Sequence, residues 1–222
     1  MNSRMLTMAG ALAVLPGLVY GEGVAVGGKV GSLGLGLEVA AALSPAVNAR
    51  LGVNGFNYSR ETTQSGVDYH AKLKLSTAAV DLDWYPMHGA FRTTVGLAYN
   101  RNEADLSGRP TNSQFVINGV TYQATDVAAL DGSVTFRKLA PYVGIGWGNP
   151  VAPGKGWGFA ADVGVLYQGS PQVGLNVTCG TGLNAAMCTQ LQSDTEQERA
   201  QLASDLSRYK WYPVVSVGVS YR

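Results

Sequence analysis

Tyr212-Pro-Val-Val-Ser-Val-Gly-Val-Ser-Tyr-Arg222 alternates strictly between apolar residues and small or polar ones. In an extended chain successive side chains point to opposite sides, so Val215, Val217, Val219 and Tyr221 share one face while Ser216, Gly218, Ser220 and Arg222 share the other. A soluble sandwich can use such a strand, and so can a transmembrane barrel. Repetition of the pattern along the chain, with glycine and charge on the polar side, favours the barrel.

The same alternation recurs upstream. Leu139, Pro141, Val143, Ile145 and Trp147 oppose Ala140, Tyr142, Gly144, Gly146 and Gly148. Phe159, Ala161, Val163, Val165 and Tyr167 oppose a row containing Asp162, and Phe91, Thr93, Val95, Leu97 and Tyr99 oppose a row containing Arg92. Each apolar row has an aromatic at one or both ends, as the interfacial girdles of membrane barrels require. In the first half, Leu33 to Leu43 and Ala49 to Val53 alternate less cleanly. The fourth strand changes phase between Leu73/Leu75 and Val80/Leu82/Trp84, which predicts a bulge near Ser76 to Ala79. If Val24 to Val30 is a strand joined to the next by a tight turn near Gly31-Ser32, the strands number eight; if not, seven, a number that bacterial single-chain barrels avoid.

Short links marked by Pro with Gly or Asn (residues 43–48, 85–90 and 148–155) alternate with long ones (59–67, 103–132 and 169–209). In outer-membrane barrels the short turns are periplasmic and the long loops external, which puts both chain ends on the periplasmic side. Within the long segments, Asn118-Gly119 predicts a hairpin over Phe115–Tyr122. Asp194 predicts the cap of a helix running toward Tyr209, whose Leu202, Leu206 and Tyr209 face packs over the barrel mouth.

Residues 1–21 read as an export signal: Arg4, an apolar run from Met5 to Val19, and small residues before a cut ahead of Glu22. Residues 22–222 then form one all-β domain, an up-and-down antiparallel transmembrane β-barrel of eight strands with a short helix in the last extracellular loop. Charged residues make up 14% of the chain and the net charge is +1, so nothing suggests a nucleic-acid partner. Cys179 and Cys188, in an exported chain, point to a local disulfide; with no histidine near them they make an incomplete zinc site, and neither metal nor cofactor is expected.

If the Val and Leu rows face lipid, Lys29, Glu38, Arg50, Asp81, Asp83, Arg92, Asp162 and Arg222 point inward. An eight-stranded barrel is only wide enough for side chains to fill, so these charges must pair or the interior is strongly disfavoured. They read either as ion pairs that hold the inner wall together or as a path along which charged or zwitterionic solutes are handed.

Leu139–Gly148, Leu166-Tyr-Gln-Gly-Ser-Pro-Gln-Val173 and Tyr209–Val219 resemble the matching strands of the carbapenem-associated outer-membrane proteins of Gram-negative bacteria, and more distantly OmpW-type and OmpA-type barrels. The resemblance implies a monomer in the bacterial outer membrane, in contact with its lipid and lipopolysaccharide. It also implies delivery by periplasmic chaperones and the barrel-assembly machinery, and a narrow channel for slow passive uptake of small cationic or zwitterionic solutes. Such barrels usually end Gly-x-x-aromatic-x-aromatic; Gly218 and Tyr221 fit, but the sequence stops at Arg222 where one more residue, typically Phe, would follow, so either it is clipped by one residue or its assembly signal is weakened.

Two other classes compete. An enzyme would need a base beside a nucleophile, and His70 with Ser59 or Ser65 is the one visible pair, so catalysis is not expected. A non-conducting structural or surface-interaction barrel would use its long loops, Pro110 to Leu130 among them, to contact host or envelope partners.

Overall fold

The computed structural model describes residues 23–64, 67–110 and 114–222, so the expected export signal and Ser65 lie outside the described residues. Thirteen strands and one helix follow in order: β1 (Val24–Gly31), β2 (Gly34–Ser44), β3 (Val47–Gln64), β4 (Val67–Trp84), β5 (Phe91–Asn100), β6 (Glu103–Pro110), β7 (Phe115–Ile117), β8 (Val120–Tyr122), β9 (Val127–Thr135), β10 (Leu139–Trp147), β11 (Trp157–Tyr167), β12 (Gln172–Cys179), α1 (Ala185–Leu206) and β13 (Trp211–Tyr221). Eight of the strands close on themselves in the order β1-β2-β3-β4-β5-β10-β11-β13, with β13 pairing back to β1. All eight pairings are antiparallel, and their closure leaves the barrel no free edge. Val24–Gly31 is the first of the eight, joined to β2 by the two-residue turn Ser32-Leu33, with Gly31 opposite Gly34.

The outer wall carries the predicted apolar rows. Val95, Leu97, Val143, Ile145, Val163, Val215, Val217 and Val219 are all exposed. Trp84, Trp147, Trp157, Phe159 and Tyr221 ring one end, and Tyr99, Tyr167 and Trp211 the other, with Tyr167 and Trp211 in ring contact at 4.8 Å. An apolar surface of this extent is unfavourable in water and suited to lipid. Inside, the small residues Ala98 and Ala140 pack with Leu166 and Val214 toward one end, and Ala25 and Ala40 with Val151 toward the other.

The remaining strands build a head above the barrel. The outer half of β4 leaves β5 after Thr77↔Asn100 and takes β6 as its neighbour from Lys74↔Glu103 onward. β6 pairs with β9, and β9 with β12, so β3-β4-β6-β9-β12 is one sheet continuous with the barrel wall. Segments read in the sequence as long loops are therefore largely strand or, in 169–209, helix.

The bulge expected near Ser76 to Ala79 is absent: β3 and β4 pair without a register shift from Val47↔Trp84 to Gln64↔Val67. What reverses is the environment. Within the barrel Leu51, Val53, Val80 and Leu82 point outward, whereas in the head Phe56, Tyr58, Leu73 and Leu75 occupy the opposite face, the one continuous with the interior. The apolar row changes sides while the backbone runs on, as expected of a strand that passes from a wall with an apolar exterior to a sheet with a solvated outer face.

The helix also differs from expectation. It starts at Ala185 with Asn184 as its cap, whose side-chain oxygen accepts from the Met187 N–H at 3.0 Å, and it spans 22 residues. Asp194 lies mid-helix and buried because its carboxylate accepts from the Tyr122 hydroxyl at 2.5 Å rather than capping. Burial first, and then this bond, push the Tyr122 hydroxyl up to about 12. The same bond holds Asp194 below the usual carboxylate value, against the opposing effect of its burial, with Asn118 and Gln190 adding to the lowering. Leu191 packs with Ile117, Tyr122 and Val127, so the helix sits on the β7–β8 hairpin, whose Asn118 and Gly119 adopt the positive φ values of 50° and 77° that the Asn-Gly turn predicts. Leu202 and Leu206 are half-buried, but Tyr209 is exposed. The Cys179–Cys188 disulfide ties the end of β12 to the first turn of α1.

Candidate functional site: the charge cluster of the lumen

Strand register decides which inward charges can meet. Arg92 on β5 stands opposite Gly146 on β10, and Gly146 stands opposite Asp162 on β11. Lacking a side chain, Gly146 lets its two neighbours join over it, with Arg92 Nη2 2.7 Å from Asp162 Oδ1. A Cβ at Gly146 would lie 2.9 Å from the Arg92 guanidinium carbon and 2.8 Å from that carboxylate oxygen. Similar placing occurs elsewhere: Glu38 faces Gly27 and Gly52, Lys29 faces Gly36 and Gly218, and Asp81 faces Gly96.

Arg50 on β3 is the hub. Its Nε is 2.6 Å from Asp83 Oδ2, its Nη2 3.0 Å from Asp83 Oδ1 and 3.3 Å from Asp162, and its Nη1 3.5 Å from Glu38. Lys29 closes one end of the chain of contacts at 3.0 Å from Glu38. Arg92 approaches Asp83 at 3.6 Å and donates to the Gly148 carbonyl, and the Thr94 hydroxyl donates to Asp83 at 2.6 Å. Arg92 and Asp83 are 0% exposed and Arg50 3%, so the cluster joins walls contributed by β3, β4, β5 and β11 and fills the space between them. Asp81 is buried beside it, opposite Arg50 in the β3–β4 register, with its Oδ1 lacking a hydrogen-bond partner among the described residues.

Seven of the eight inward charges therefore lie within the barrel wall, four carboxylates with three cations. Arg222 is placed apart, at the rim, where its guanidinium donates to the Ala152 carbonyl at 2.5 Å and its backbone exchanges hydrogen bonds with Gly156. Sequence reading did not single out Thr94 or the Gly148 carbonyl. Thr94 was legible as a hydroxyl on the same inner row as Arg92; the carbonyl left no side-chain signal. His70 faces Glu61 across the β3–β4 hairpin at 3.2 Å, while Ser59 is opposite Lys72.

A closed eight-stranded barrel with an apolar outer wall and a lumen filled by glycine-spaced ion pairs defines the class: the small, side-chain-filled β-barrels. Within that class the chain resembles barrels of the CarO type, the carbapenem-associated outer membrane proteins. Its structure is similar to the crystal structure of Acinetobacter baumannii CarO2, with 26% identity and a TM-score of 0.59, and covers 90% of this chain and 97% of that one. It is likewise similar to Acinetobacter baumannii CarO, with 25% identity, a TM-score of 0.58 and the same coverages. No protein-family model and no curated protein matches the chain.

Proposed function

We propose that the protein is an outer-membrane barrel closed at rest, through which small solutes pass slowly and only when the Arg50–Asp83–Arg92–Asp162 cluster parts. The carrying observation is the contact from Arg50 on β3 across to Asp162 on β11, with Arg92 and Asp83 completely buried beside it. Every path along the axis at that level crosses these side chains. Separating them exposes charge in a narrow, poorly hydrated space, a high barrier that makes passage slow. Four carboxylates against three cations leave the interior net negative, which favours small cationic or zwitterionic solutes over anions. The apolar outer wall, the two aromatic rings and the likeness to CarO support the outer-membrane setting. The barrel closes within one chain, which supports a monomer, and the lipid, chaperone and assembly-machinery contacts follow from that setting.

Liposome swelling tests the reading. Vesicles holding the purified protein should admit glycine and lysine slowly and exclude glutamate and sucrose. Entry of lysine and glutamate at equal rates would contradict it.

A second reading, display of a surface-contact element, is favoured by the head itself, in which a sheet, a hairpin and a disulfide-tied helix form a built structure rather than loose loops. Removing residues 110–130 should abolish binding to host surfaces while the barrel still folds; unchanged binding would count against this role.

A further inference from the structure

Where barrel and head meet, the wall is interrupted. β5 passes to β6 through Arg101 and Asn102, β9 to β10 through residues 136–138, and β11 to β12 through residues 168–171. Pairing between β5 and β10 stops at Tyr99↔Leu139, extended only by the bond from the Asn100 N–H to the Lys138 carbonyl, and pairing between β6 and β9 begins at Glu103↔Thr135. The gap is a cleft of about 720 Å³. Four cations line it, Lys74, Arg101, Arg137 and Lys138, against one carboxylate, Glu103.

Two buried amides complete the lining. Asn100 and Asn102 are 1% and 5% exposed. Their orientation is fixed, because Asn100 Oδ1 accepts from the Asn102 N–H at 3.1 Å and Asn102 Oδ1 accepts from the Ser76 N–H at 3.0 Å. Both side-chain NH₂ groups are thereby left as buried donors with no partner among the described residues. A buried donor without an acceptor is costly, and four cations lining the same cleft as two such donors call for an anion with several acceptor oxygens.

The level of the cleft identifies the anion's carrier. Tyr99 and Leu139, both exposed on the outer wall, are the last barrel residues below it, and the Arg101 guanidinium lies 5.4 Å from the centre of the Tyr99 ring. Aromatic rings of this kind mark the edge of the hydrocarbon, so cations one or two residues above stand at the depth of lipid headgroups.

We infer that this cleft binds a phosphate group of an outer-leaflet lipid headgroup, that of lipopolysaccharide. Lys74, Arg101, Arg137 and Lys138 supply counter-charge, and the Asn100 and Asn102 amides supply neutral donors. The lipid source rests on the outer-membrane setting proposed above; the preference for a phosphate over a neutral headgroup does not.

The test uses the full-length purified barrel in a neutral detergent. Native mass spectrometry measures retention of diphosphorylated lipid A against dephosphorylated lipid A with the same acyl chains, and against inorganic phosphate as competitor. Wild type should prefer the phosphorylated lipid about tenfold or more. The variant R101Q/R137Q/K138Q should lose that preference, and R60Q/K155Q/R208Q, which removes as much charge elsewhere, should keep it. Heat-dependent gel mobility verifies that each variant folds. Equal retention of both lipids by wild type, or equal loss in both variants, would overturn the inference. Displacement of the lipid by inorganic phosphate at millimolar concentration would overturn the lipid as source. Density fractionation of cells tests the setting separately: recovery away from the outer membrane would remove the lipid assignment even if the phosphate preference held.

Discussion

Removing Arg50 should destabilise the barrel more than removing Arg92, and both far more than removing Lys29. The order follows from what each substitution strands. In Arg50→Met, Asp83 loses contacts at 2.6 and 3.0 Å, Asp162 one at 3.3 Å and Glu38 one at 3.5 Å, so three buried carboxylates are affected by one change. Breaking a buried pair costs about 3–5 kcal/mol because an uncompensated charge stays inside, and Arg50 belongs at the upper end, ~5 kcal/mol. Arg92→Met leaves Asp83 with Arg50 and the Thr94 hydroxyl, and leaves Asp162 with Arg50, so ~3 kcal/mol is expected. Lys29 and Glu38 keep 14% and 9% of their side-chain surface, and Lys29→Met should cost ~1 kcal/mol. Urea unfolding in lipid vesicles, read by tryptophan fluorescence and gel mobility, measures all three. Adding Asp162→Asn to Arg92→Met should recover part of the loss, with a coupling of ~1–3 kcal/mol. Losses of less than ~1 kcal/mol for both arginines, or a Lys29 effect as large as that of Arg50, would refute the reasoning.

The remaining predictions concern the spacing of the cluster and the head. Gly146→Ala should destabilise by ~1–3 kcal/mol in the same unfolding assay, because the new methyl meets both Arg92 and Asp162. Replacing Cys179 and Cys188 by Ser should cost the head ~2–3 kcal/mol, since the bridge closes a loop of sequence separation 9; limited proteolysis should then cut near α1 while the barrel's unfolding stays unchanged. Asp194 is held below its ordinary value, so its contribution is complete above pH ~4 and fades as pH falls through its folded value. Protease sensitivity of the β7–β8 and α1 region should accordingly rise below pH ~4 in wild type, and Tyr122→Phe should raise it at pH ~7. A flat acid profile would count against the Tyr122–Asp194 bond.

The barrel was legible because its two surroundings differ so strongly. Lipid outside and packed charge inside impose a period of two that β5, β10, β11 and β13 keep without interruption, and the lumen charges follow from the same rows. The head was hidden by the same physics. At Thr77 β4 leaves the barrel for the head, the apolar row moves to the other face, and a continuous strand looks like one with a bulge. β6, β9 and β12 are short and mix Glu103, Asp105, Asp131 and Asn176 with apolar residues, so they passed for loops. In the cluster, the residue types were plain but the meetings were not. That Arg92 reaches Asp162 depends on Gly146 lying between them, a fact of register across three strands that no single strand reveals.

Closure of the lumen by the arginine–aspartate cluster is tested most directly by electrical conductance across a planar bilayer, comparing wild type with Arg92→Ala. Wild type should give no steady open level, only rare brief events. Arg92→Ala, still folded by gel mobility, should give frequent cation-selective openings, because removing the guanidinium leaves Arg50 as the only bridge between Asp83 and Asp162 among the described residues and empties the space beside it. A steady open level in wild type, or a variant as silent as wild type, would contradict the account.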